Sequence, residues 1–118
     1  DYLVYFKTGA EWNNGKIYDI KQSKVVHDIG PTRDLAGFTK DMKHFYNCIG
    51  SGMFGGNVDV FSVPAFELEK NLMAKDSLVF SCDGYDKKTN TLKYTLSFNG
   101  FENKSAYAYN ISTGTVSQ

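Results

Sequence analysis

Apolar and polar positions along this chain follow two different periods. From Tyr2 to Lys7, aromatic and β-branched residues crowd together, the composition of a strand. Asn14-Gly15 accepts the positive φ of a tight hairpin, so Lys16 to Ile20 is expected to return as a second strand. Gln22-Ser23 predicts another turn and Lys24 to Ile29 a third strand, with Gly30-Pro31 closing it. The period then changes. Leu35, Phe38, Met42, Phe45 and Ile49 are spaced by three, four, three and four residues, which tracks one face at 3.6 residues per turn. This spacing predicts an amphipathic helix from Thr32 to Ile49. Thr32 would be its N-cap, Asp34 would meet the dipole in the first turn and Gly50 would sit at C′. Gly37 lies inside it and costs about 1 kcal/mol against Ala, so the firm part is expected to begin near Thr39.

Beyond the helix comes a glycine-rich loop, Gly50 to Gly56, and then a strand from Asn57 to Val63. Pro64 followed by Ala65 to Lys75 predicts a second, shorter helix, with Leu68 and Leu72 four residues apart. The last third returns to period two. Leu78 to Cys82 is a strand, and Asp86 to Asn90 a polar turn. Leu92, Tyr94, Leu96 and Phe98 alternate with polar neighbours. Asn99-Gly100 turns the chain, and Tyr107, Tyr109 and Ile111 form a last strand. The expected architecture is one α+β domain over residues 1–118. An N-terminal hairpin and a C-terminal three-strand antiparallel meander would pack on one main amphipathic helix.

Composition narrows the functional classes. Hydrophobic residues make up 42% of the 118, and aromatics 15%, enough large rings to build a core without metals. Thirteen basic residues balance thirteen acidic ones. A protein that grips a phosphate backbone carries a basic excess, so nucleic acid is not an expected partner. No apolar run approaches the roughly 20 residues that cross a bilayer as a helix. The chain opens at Asp1 without an initiator Met and has two cysteines, Cys48 and Cys82. Asn103-Lys104-Ser105 and Asn110-Ile111-Ser112 are acceptor sequons. Together these features lean toward a secreted or periplasmic protein whose signal peptide has been removed.

Several residue groups could carry chemistry. Gly50-x-Gly52-x-x-Gly55 has the letters of a dinucleotide fingerprint, but a helix would precede it and a strand follow, the reverse of the order that binds pyrophosphate. Asp41, His44 and Cys48 would share one stripe of the helix, an acid, an imidazole and a thiol. Catalytic sets converge from separate elements, and no oxyanion donor is evident. His27, His44, Cys48 and Cys82 lack the paired spacings of a zinc site. No cofactor or metal is therefore expected. The favoured constellation is a Cys48–Cys82 bridge closing a loop of about 35 residues, worth roughly 3–4 kcal/mol on chain-entropy arithmetic. The alternative is a pair of buried free thiols.

The functional expectation is a small, exported, non-enzymatic domain that binds another protein, as inhibitors, immunity proteins and adhesion or assembly subunits do. Its expected contacts are Met53 and Phe54, flanked by glycines, together with Trp12 and Tyr18, since Trp and Tyr are enriched at interface hot spots. A carrier of small apolar ligands with an aromatic-lined pocket is the second reading. A Cys-dependent enzyme using Asp41, His44 and Cys48 is the third.

Overall fold

The computed structural model describes residues 1–8, 13–32, 35–50, 56–100 and 102–118. Its chain divides into two compact units, Asp1–Arg33 and Asp34–Gln118.

The first unit is a three-stranded antiparallel sheet in the order β1-β2-β3, with β1 Tyr2–Thr8, β2 Asn13–Asp19 and β3 Lys24–Thr32. Strand-forming residues dominate all three, as the sequence predicts. The expected Asn14-Gly15 turn is instead part of β2, where Gly15 lies between Phe6 and Gly30. The connection between β1 and β2 falls in the segment 9–12, outside the described residues. A permissive dipeptide allows a turn without compelling one. Here the apolar match of β1 to β2 sets the register, running unbroken from Tyr2↔Asp19 to Thr8↔Asn13. The second turn is tight. Ser23 adopts φ 54°, and the buried Asp19 carboxylate accepts the Gln22 backbone N–H at 3.1 Å and its side-chain amide at 2.9 Å.

The second unit contains two four-stranded antiparallel sheets. One is β4 Leu35–Phe38, β5 His44–Ile49, β6 Asn57–Ser62 and β7 Leu68–Asn71 in chain order. The other is β8 Ser77–Asp86, β9 Thr91–Phe98, β10 Asn103–Asn110 and β11 Thr115–Ser117. The expected three-strand meander is thus correct for its first three strands and gains β11, which is too short and exposed to show in the pattern.

The α+β expectation is overturned, for the described residues contain no helix. The span from Thr32 to Ile49 runs from the end of β3 into the β4–β5 hairpin. Leu35 pairs with Cys48 and Phe38 with Phe45. Met42, at the centre of the apparent helical stripe, sits in the turn with φ 61° and is 47% exposed. Local hydrogen bonds hold this turn. Thr39 N–H donates to His44 O, Met42 N–H donates to Thr39 O, and Asp41 Oδ1 accepts both the Thr39 hydroxyl at 2.6 Å and the Lys43 N–H at 3.0 Å. Short polar side chains that bond nearby backbone favour turns over helix.

The pattern misleads because β5 is covered on both faces. Phe45, Tyr46, Asn47 and Cys48 are all buried, so the strand shows no alternation. Tyr46 and Cys48 face the sheet core with Val58, Val60, Leu72, Val79, Leu92, Tyr94 and Leu96. Phe45 points the other way and packs edge-on against Phe38 and Phe66, with ring centroids 5.1 and 6.4 Å away. Gly37 has a packing role as well. A Cβ there would lie 2.9 Å from the Tyr46 hydroxyl, so a side chain at this position would make the ring shift.

The second expected helix, Ala65 to Lys75, is a tight loop followed by β7. Phe66 adopts φ 55°, Phe66 N–H donates to Ser62 O and Ser62 N–H donates to Glu67 O. These bonds reverse the chain within a few residues, leaving no length for a helix.

A Cys48–Cys82 disulfide joins the two sheets of this unit, with Cα atoms 6.0 Å apart. Next to it Tyr46 stacks on Tyr85 at 4.8 Å, and the Tyr85 hydroxyl accepts the Lys40 N–H at 3.2 Å.

Candidate functional site

The sequence-predicted contact residues divide by position. Trp12, Met53 and Phe54 lie outside the described residues. Tyr18 lies at the centre of the first unit's sheet, and its surroundings form the candidate site.

Side chains of a strand alternate between faces, so the first sheet has two distinct surfaces. One holds Ile17, fully buried, together with Ile29. His27, opposite Ile17, has its pKa lowered, because burial penalises the imidazolium more than neighbouring Asp28 favours it. The other surface holds Tyr18, flanked by Leu3 on β1 and Val25 on β3. Beside this row runs a second, with Tyr5 opposite Lys16 and Lys16 opposite Asp28. Lys16 Nζ and Asp28 Oδ2 are 3.0 Å apart in an exposed ion pair.

The apolar members of this face are open to solvent. Leu3 is 53% exposed, Val25 45% and Tyr5 39%. A bulge in β3 produces the grouping. Ile17 pairs with His27 and Tyr18 with Val25, so one extra residue, Val26, opposes the β2 strand there. The bulge puts Val25 beside Tyr18. Reasoning from sequence found Tyr18 but missed Leu3, Tyr5 and Val25. Their common face depends on cross-strand register, which strand composition alone does not reveal.

The Asp41, His44 and Cys48 set offers no thiol nucleophile. Cys48 is bridged to Cys82 and has no thiol. Asp41 is engaged in the β4–β5 turn, where the Thr39 hydroxyl and the Lys43 N–H hold its carboxyl below the usual range. His44 Nε2 lies 3.0 Å from Glu69 Oε2. The four His and Cys residues considered for zinc are likewise apart in role, with both sulfurs bridged. Among the described residues, no group of three or more His, Cys, Asp or Glu could hold a metal ion.

A groove of about 250 Å³ opens in the second unit, where β7 passes the β8–β11 sheet, lined by Lys70, Leu72, Met73, Leu96, Tyr107 and Val116 among others. It is smaller than the roughly 300–1,000 Å³ of typical small-molecule pockets. Its floor is filled by Tyr94, 1% exposed, whose burial beside Tyr107 and Tyr109 pushes the phenol pKa up to about 12. Among the described residues, no helix is long and apolar enough to cross a membrane.

No protein-family model, curated protein or solved structure matches this chain.

Proposed function

We propose that this chain is a non-enzymatic protein-binding domain of an oxidising compartment, and that it receives its partner on the Leu3, Tyr5, Tyr18 and Val25 face. The observation carrying this reading is the solvent-exposed apolar row across the first sheet. Apolar residues scattered singly over a surface need no explanation, but a contiguous group rimmed by an ion pair is the pattern of an interaction site. Tyr18 supplies a ring at the centre and Leu3 and Val25 supply flanks that exclude water, the arrangement of an interface hot spot. The Cys48–Cys82 disulfide supports the compartment, since structural bridges persist where thiols are not kept reduced. An inhibitor, an immunity-type protein and an adhesion or assembly subunit all fit this surface. The ligand-carrier reading draws less support, because the second unit's interior is filled by fully buried side chains such as Val58, Val79 and Leu92.

The test replaces Tyr18 by p-benzoylphenylalanine and irradiates the protein in the exported fraction of its source. The expected result is one discrete adduct, distinct in mass from a second copy of this chain. It should disappear with Val25→Glu and be missing when the probe replaces exposed Lys87. Once the partner is identified, Tyr18→Ala should weaken binding about thirtyfold, the loss of a hot-spot residue worth ~2 kcal/mol. Equal labelling from position 87, or none from position 18, overturns the assignment.

A further inference from the structure

Where β7 passes the β8–β11 sheet, a bulge gives two neighbouring charges different tasks. Val60 pairs with Lys70 and Phe61 with Leu68, so Glu69 is the extra residue of β7. The Glu69 carboxylate is engaged, with Oε2 3.0 Å from His44 Nε2. Lys70 instead lines the groove of about 250 Å³ and has no ion-pair partner among the described residues. The wall around it is largely apolar, with Leu72, Met73, Leu96 and Val116. Val116 is 47% exposed, so this wall is open to solvent on the β11 side.

Tyr94 lines the same groove although it is only 1% exposed. Its ring stacks on Tyr107 with centroids 5.7 Å apart, which holds it in place. Its hydroxyl makes no hydrogen bond among the described residues. Burial pushes the phenol pKa up to about 12, so the hydroxyl keeps its proton at neutral pH and can donate. A buried donor without an acceptor costs free energy that an acceptor on a ligand recovers. The groove thus offers one cation, one hydrogen-bond donor and an apolar wall. A carboxylate accepts from both polar groups, whereas a neutral acceptor leaves the lysine unanswered and a cation is repelled. Size sets the rest of the ligand. An apolar cavity of roughly 150 Å³ takes one benzene, so this groove has room for about ten heavy atoms. An extended peptide is larger than that.

We propose that this groove binds a free monocarboxylic acid of about ten heavy atoms, its carboxylate received by the Lys70 ammonium and the Tyr94 hydroxyl and its hydrocarbon tail laid along Leu72, Met73, Leu96 and Val116. The site opens at the surface of the second unit, outside the filled core. It uses second-unit residues alone, so it stands or falls independently of the proposed partner face.

Titration of the whole chain with octanoate, followed by amide NMR, tests this. The expected result is a saturable shift of the Leu72, Met73 and Val116 amides, with octan-1-ol binding about tenfold more weakly. Lys70→Met keeps the apolar stem and removes the charge. It should bring octanoate down to the affinity of octanol and leave octanol unchanged, a split that a general loss of stability would not show. Tyr94→Phe keeps the ring and should weaken octanoate about tenfold. Val116→Trp fills the groove from its exposed side and should abolish binding of both probes. The absence of a saturable shift overturns the proposal, as do shifts spread evenly over both units. Equal binding of octanoate and octanol overturns it too, and so does tighter binding of the peptide acetyl-Ala-Ala-Leu than of octanoate.

Discussion

The first unit's sheet and the paired sheets of the second unit are made from similar strands, but they treat their outward surfaces differently. On the second unit, outward polar groups are tied together. Asp83 accepts hydrogen bonds from Ser81 and Thr95 at 2.6 Å each, and Asn71 Nδ2 bridges Asn57 Oδ1 and Asp59 Oδ1. Many of its apolar side chains point inward, in a core that includes Val58, Val79, Leu92, Tyr94 and Leu96, stapled by the disulfide, while Met42, Leu68, Phe80 and Val116 on different strands and turns stay exposed. The first unit's sheet presents the Lys16–Asp28 ion pair outward and leaves Leu3, Tyr5 and Val25 in solvent. Two sheets face to face satisfy each other's apolar surfaces, whereas a single sheet has one apolar surface too many. The difference separates the disulfide-stapled core of the second unit from the exposed apolar row on which the proposed partner binding rests.

The comparison can be broken first at the core. Phe45→Ala removes a fully buried ring packed against Phe38 and Phe66, and should cost about 3–5 kcal/mol in urea denaturation. A loss under about 1 kcal/mol would mean that the face opposite the sheet core is loosely packed. Replacing Cys48 and Cys82 together by Ala should cost about 3–4 kcal/mol, the chain entropy released by opening a loop of 34 residues. Thermal unfolding should then shift downward by roughly 15 °C or more for a domain of this size.

A smaller effect tests the second unit's outward polar network. Burial raises the Asp59 pKa, opposed by the Asn71 hydrogen bond. The folded state therefore holds the proton more tightly than the unfolded chain, and stability falls as pH rises from the ordinary carboxyl value of 3.8 through the raised one. Asp59→Asn should abolish that slope. Measured by denaturation at a series of pH values, its stability relative to the parent should improve as pH rises through the same window. A difference independent of pH would place the Asp59 carboxylate in water.

The smallest expected effect on stability sharpens the comparison most. Leu3→Thr keeps a strand-forming residue at an exposed position and should change the unfolding free energy by under about 0.5 kcal/mol. The same substitution should abolish photo-adducts from position 18. A large loss of stability would show that Leu3 belongs to a core and not to a recognition surface.

Much of the strand content was legible in the residues. Tyr2 to Lys7, Lys24 to Ile29, Asn57 to Val63 and the alternation from Leu92 to Phe98 all correspond to strands, because composition and period two agree there. The Cys48–Cys82 pair was legible too, although its neighbours were misassigned. The helix was not, since five apolar residues at helical spacing arise equally from a hairpin whose second strand is buried on both faces. Thr39 and Asp41 carried the missed turn signal, and Phe45, Tyr46, Cys48 and Ile49 a run of strand formers. Of the candidate site, only Tyr18 was named beforehand among the described residues.

By itself the sequence determined that the chain folds on large rings and β-branched residues, that it carries no charge excess, and that its two cysteines can form one bridge. These are properties of composition and local pattern, which act over a few residues. The tertiary structure alone decided that residues 35–49 form a hairpin, that both faces of β5 are covered, and that a bulge brings Val25 beside Tyr18 on Leu3's face. Register and two-sided burial are set by strands distant in sequence, so no local window contains them.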